Sequence, residues 1–142
     1  MTNPLGYSGT PLAQKLGYKD GQRILFIALP ESLGELATSR YFATVDKIGW
    51  DQVSKKAGYD MVHLFAASRA ELESAAKPLM NAITRDGTIW VSWPKKASKV
   101  PTDITEDVIR EIVLPIGLVD VKVAAVDAVW SGLKLVIRKE LR

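Results

Sequence analysis

Residues 59–93 read YDMVHLFAASRAELESAAKPLMNAITRDGTIWVSW, and this stretch decides the fold. Asp60–Ala66 is a short, nearly continuous apolar run, the pattern of a strand buried on both faces. Ser68 followed three residues later by Glu71 is a capping box, which satisfies free N–H groups at a helix start. Behind it, Leu72, Ala75, Ala76, Leu79, Met80 and Ile83 recur at helical spacing on one face. Pro78 lies inside that pattern and is expected to bend it. Asp86–Gly87 turns the chain, and Thr88–Trp93 forms the next strand. Strand, helix and strand in this order predict a right-handed crossover between parallel strands.

Working outward, the same alternation holds on both sides. Thr10 suits a helix N-cap, Pro11 the first helical position and Gly17 the exit. Asp20–Gly21 leads into Arg23–Leu29, another buried strand. Glu31–Arg40 reads as helical, Phe42–Asp46 as a second strand, and Gly49–Gly58 as a segment with helical spacing at Trp50, Val53 and Ala57. After Trp93, Asp103 and Glu106 are placed to cap a helix carrying Ile104, Val108, Ile112 and Ile116, closed by Gly117. Val119–Val129 and Leu133–Lys139 then form a hairpin through Ser131–Gly132. In chain order the predicted sheet is 2-1-3-4-6-5, with strand 6 antiparallel.

The chain has 142 residues, one domain's worth of polypeptide, and the expectation is a single α/β domain over 1–142. Its 47% hydrophobic and 25% charged residues exclude a disordered or fibrous chain. It has no cysteine, which excludes disulfides, a thiol nucleophile and cysteine-ligated metals. The single histidine, His63, cannot build a multi-histidine site within one chain. No apolar run approaches the ~20 residues needed to span a membrane. Met1–Gly9 lacks the pattern of a secretory signal. A cytoplasmic protein with no membrane partner is therefore expected. The net charge of +3 comes from interleaved cations and anions, so nucleic acid is an unlikely partner.

From Asp60 to Lys139 the layout resembles the class I S-adenosylmethionine-dependent methyltransferases. The resemblance rests on the 59–93 string around its Asp86–Gly87 turn and on the antiparallel end. It implies a three-layer, Rossmann-like, mainly parallel sheet with a C-terminal antiparallel hairpin. A second resemblance is to a small bacterial family of domains of unknown function. It is carried by GYSGTPLAQKLGYKDG at 6–21, WVSWPKKASKVPTDITEDVIRE at 90–111 and GLVDVKVAAVDAVWSGLKLVIR at 117–138. That family implies no activity. The methyltransferase pattern has a glycine-rich turn after its first strand, where this chain has Ala28-Leu29-Pro30-Glu31-Ser32. Proline removes an N–H and side chains obstruct close backbone approach. The departure implies weak binding of S-adenosylmethionine or none, so no cofactor is expected. The family's acid at the end of the second strand, which holds the cofactor ribose, corresponds to Asp46.

Ligands of open α/β sheets bind beyond the C-terminal strand ends. Lys95, Lys96 and Ser98 emerge there after Trp93, before a helix start that favours anions. With Pro30, Glu31, Asp46 and Ser68 they form the candidate ligand-binding set. The leading expectation is a non-catalytic or cryptic binder of a small anionic or nucleotide-like ligand. The alternatives are a diverged S-adenosylmethionine-dependent methyltransferase and a protein- or RNA-interaction module. Ser92 and Lys95 match a Ser-x-x-Lys spacing, but on a strand and a proline-led loop they lack its helical geometry. His63 reads as a packed core residue. Gly6–Pro11 reads as a turn and helix cap in preference to a lid. Trp90 is expected in the sheet and Trp130 at the hairpin end.

Overall fold

The apolar runs become the middle of one sheet. The structure, a computed structural model, describes residues 11–142. Its strands are β1 (Arg23–Ile27), β2 (Thr44–Ile48), β3 (Tyr59–Phe65), β4 (Ile83–Pro94), β5 (Leu118–Ala125) and β6 (Trp130–Ile137). Its α-helices are α1 (Leu12–Lys15), α2 (Arg69–Ala82) and α3 (Glu106–Val113). Segments Glu31–Thr38 and Trp50–Lys55, read as helical, take the tighter 3-10 form. The sheet order is β2-β1-β3-β4-β6-β5, as the sequence predicts. Strands β1 to β4 pair in parallel, and β6 is antiparallel to both β4 and β5.

Two apolar clusters share β1. Leu25 and Ile27 join Leu72 and Leu79 of α2 and Ile109 and Val113 of α3. Ile24 and Phe26 join Leu12 and Leu16 from the α1 region and Leu33 and Leu36 from the 31–38 segment. Successive strand residues point to opposite sides, so the clusters lie on opposite faces of β1. Each fully buried large side chain contributes roughly 1.5–3 kcal/mol against exposure.

Several local expectations shift. β2 starts two residues later than predicted, because Phe42 packs edge-to-face on Tyr18 at 5.9 Å and stays outside the strand. Asp86–Gly87 lies inside β4 as an irregular stretch, where the register against β3 shifts between Tyr59 and Met61. The hairpin turn is not Ser131–Gly132. Asp127 Oδ1 accepts from the amides of Val129 and Trp130 at 2.9 and 2.7 Å and makes the turn itself. Gly132 belongs to β6, where a Cβ would meet the Trp90 ring at 3.0 Å. Asp103 does not cap α3. Thr105 does, accepting from Val108 N, and Asp103 accepts from Arg69 N at 2.7 Å to cap α2 across the loop. The buried face of α3 is accordingly Ile109 and Val113. Pro11 sits at the N-cap of α1, and Gly17 takes φ 77 at its exit. The expected Thr10 cap and the Gly6–Thr10 turn lie outside the described residues.

Candidate functional site at the strand ends

Four parallel strands end on one edge of the sheet, and the 126–129 turn joins them there because Trp130 pairs with Pro94. β1 lies between β2 and β3, so the chain reverses direction across it and opens a crevice between the loops after β1 and β3. Pro30 and Glu31 follow β1. Ser68 follows β3. Lys95, Lys96 and Ser98 follow β4. The structure therefore brings six of the seven predicted residues to one edge.

Asp46 is the exception. It pairs with Leu25 in the middle of β2, and its carboxylate accepts from the Tyr59 hydroxyl. Burial of the Tyr59 hydroxyl and, after it, this bond to Asp46 push the phenol's pKa up to about 12. The two-residue shift of β2 is the cause of the mismatch. The acid just beyond the observed strand end is Asp51, exposed in the first turn of the 50–55 segment, beside half-buried Trp50. In the sequence, Gly49-Trp50-Asp51 shows only helical spacing. The signal that locates Asp51 is Gly49, the break after an alternating strand.

The turn after β1 holds a second feature missing from the sequence reading. Ala28 takes φ 58, the left-handed region that glycine favours and other residues enter at roughly 1–2 kcal/mol. Its amide is anchored to Ile48 O at 3.0 Å, so the chain turns sharply with an alanine in place of glycine. Across the crevice, Ser68 Oγ accepts from Glu71 N at 3.3 Å, which leaves its O–H to donate. Thr102 Oγ1 donates to Ala67 O at 2.7 Å and fixes this loop from the other side.

The lysine loop is held differently from expectation. Lys95 N donates to Val129 O at 2.7 Å, and Ser98 Oγ donates to Lys95 O at 2.7 Å, so Ser98 is a turn-forming residue. Lys96 is exposed and Lys95 half-buried. The helix start expected to reinforce them begins only at Glu106, with Glu106 and Asp107 in its first turn. Those carboxylates offset the positive helix end, so it adds no positive potential for the lysine loop.

Below the edge, His63 and Ser92 are fully buried. Tyr18 Oη lies 2.5 Å from His63 Nδ1, and His63 Nε2 lies 2.7 Å from Ser92 Oγ. A neutral imidazole accepts from one hydroxyl and donates to the other. Burial lowers the His63 pKa to about 3 and raises that of Tyr18 well above its usual value. This is a core histidine, as read, and Ser92 is no nucleophile for Lys95.

Among known proteins, no family model matches the chain, and no curated protein matches it. Solved structures do match, and they define the class of fold. A TehB-like SAM-dependent methyltransferase from Corynebacterium glutamicum aligns over 94% of this chain and 90% of its own, at TM-score 0.63 and 11% identity. A SAM-dependent methyltransferase from Aquifex aeolicus aligns over 89% and 87%, at TM-score 0.67 and 12% identity. Magnesium protoporphyrin IX methyltransferase from Synechocystis, with bound SAH, aligns over 89% and 78%, at TM-score 0.62 and 14% identity. The fold is that of the SAM-dependent methyltransferases. These neighbours, including Synechocystis structures with SAH and with SAM, overturn two expectations. Neither the expected absence of a cofactor nor the expected non-catalytic binder stands.

Proposed function

We propose that the chain is a diverged S-adenosylmethionine-dependent methyltransferase, one three-layer α/β domain with its site at the strand ends. The observation that carries this reading is the left-handed turn at Ala28, placed at the β1/β3 crevice of a methyltransferase-like sheet. It supplies the backbone course that glycines give elsewhere, even though Pro30 removes one N–H. The residues on either side fit the ligand's chemistry. Asp51 follows β2 and Ser68 follows β3, the strands paired on either side of β1.

S-adenosylmethionine supplies an electrophilic methyl group when bound. The Asp51 carboxylate accepts from ribose hydroxyls, and Trp50 offers an aromatic surface for the adenine. Glu31, exposed at the head of the 31–38 segment, meets the ligand's ammonium group. Ser68 donates to its carboxylate. Lys95 and Lys96 supply cations for negatively charged parts of the ligand pair. Each such charged hydrogen bond contributes roughly 1.5–3 kcal/mol where water is excluded.

Isothermal titration with S-adenosylhomocysteine tests the assignment. Wild type is expected to bind at micromolar Kd, and Asp51→Ala to lose about tenfold, the scale of one charge-assisted bond. Wild type without measurable heat, or Asp51→Ala binding as wild type does, contradicts the reading.

A further inference from the structure

The opposite end of the sheet holds a cavity that the strand-end site leaves unused. It measures about 350 Å³ and is lined by Asp20, Thr38, Ser39, Arg40 and Tyr41. Asp20 precedes β1 and Tyr41 precedes β2, so the cavity lies at the starts of the strands, away from the crevice. Backbone groups fix its polar side chains. Arg40 donates from Nε to Tyr18 O at 3.2 Å and from Nη1 to Ser39 O at 2.9 Å. Asp20 Oδ1 accepts from Tyr41 N at 2.7 Å, and Tyr41 O accepts from Gly21 N at 2.9 Å. Thr38 and Ser39 donate their hydroxyls to Glu35 O and Leu36 O. Tyr41 itself is 88% exposed, the most of the large hydrophobic residues described, so its ring presents a free face.

The bonding capacity left over defines the ligand. A guanidinium has five N–H bonds, of which Arg40 uses two, and Asp20 keeps Oδ2 to accept. Among the described residues, neither side chain has an ion-pair partner. A simple anion meets the Asp20 carboxylate, and a simple cation meets the Arg40 guanidinium. A flat ligand with an acceptor edge beside a donor edge satisfies both. We infer that the cavity binds a guanine base, from a free nucleotide or from single-stranded RNA. Its O6 and N7 accept from Arg40, its N1–H and amino group donate to Asp20, and its face stacks on Tyr41. Adenine reverses both edges, setting its amino group against Arg40 and its N1 lone pair against Asp20. The inference is independent of the methyltransferase reading, because none of the five residues belongs to the strand-end site.

The test is amide NMR on the full chain, titrated separately with guanosine monophosphate, adenosine monophosphate and a uridine pentamer carrying one central guanosine. Guanosine monophosphate is expected to shift the Asp20, Arg40 and Tyr41 amides saturably, with adenosine monophosphate at least about fivefold weaker. Tyr41→Leu should weaken guanosine monophosphate about tenfold, and Tyr41→Phe should stay within about threefold. Because Tyr41 is exposed, Tyr41→Leu should leave the unfolding midpoint in place. Arg40→Lys, which keeps the charge and loses the planar fork, should also weaken binding about tenfold. Tighter binding of the pentamer marks RNA as the source of the base, and equal or weaker binding marks the free nucleotide. A Tyr41 amide unmoved by either guanine ligand, equal binding of adenosine monophosphate, or Tyr41→Leu binding as wild type does overturns the guanine site.

Discussion

Strands β3 and β4 carry polar groups twice, in their buried middle and where they end, and the two places treat them differently. Inside, His63 and Ser92 are fully buried and hydrogen-bonded in line with Tyr18, where burial keeps them from any ligand. At the ends, Ser68 keeps an O–H to donate, Lys96 is exposed, and Ala28 holds a conformation that costs energy. A satisfied polar group inside a core stabilises one arrangement of the chain. A strained or open one at a strand edge is where a ligand finds partners. The contrast sets His63 with the core and leaves the edge as the place of the proposed site.

The largest expected effect lies in the core. His63 has a folded pKa of about 3 against 6.5 unfolded. Below pH 6.5 the unfolded chain therefore takes up a proton that the native state refuses. Stability from this group is complete above pH 6.5 and falls as pH drops, levelling near pH 3. Urea unfolding should show about 2.3 kcal/mol of its loss between pH 6.5 and 4.5. His63→Phe should remove that part of the slope; identical slopes in the two proteins break the core side of the comparison.

A smaller effect is expected from Ser92→Ala. It leaves one imidazole nitrogen buried without a partner, at about 1–3 kcal/mol. The midpoint of denaturant unfolding reads this directly, and an unchanged midpoint would mean that Ser92 does not serve His63.

The smallest stability effect belongs to the edge. Lys95→Ala with Lys96→Ala should change unfolding by no more than about 0.5 kcal/mol. The same pair should weaken S-adenosylhomocysteine roughly 1.5- to 5-fold, the range of exposed charge pairs. A large stability loss with unchanged binding reverses the assignment of this loop.

How much of this was legible depends on the residue. The runs at 24–29, 61–66 and 89–93 placed the central strands, because strands buried on both faces are apolar almost throughout, with only His63 and Ser92 interrupting them. β2 is half-buried and alternating, so its ends are weakly marked; it runs two residues further than the sequence suggests, which puts Asp46 inside the strand. Ser131–Gly132 has the composition of a turn, but Gly132 is needed where the Trp90 ring lies against β6. Asp103 has the spacing of a local cap, yet its partner is Arg69, 34 residues away. The left-handed turn at Ala28 has no local signal, since alanine gives no hint of positive φ. Contacts between distant segments set these features, and sequence spacing does not report them.

The most direct measurement of the central claim is the amide shift map of the full chain titrated with S-adenosylhomocysteine. The account predicts saturable shifts at Ala28, Leu29 and Glu31, at Trp50 and Asp51, and at Ala66–Ser68. Arg23 and Gly58, at the opposite ends of β1 and β3, should stay in place. Shifts confined to the groove of about 440 Å³ between Arg69, Lys77 and Ile112, or no saturable shift at all, would contradict it.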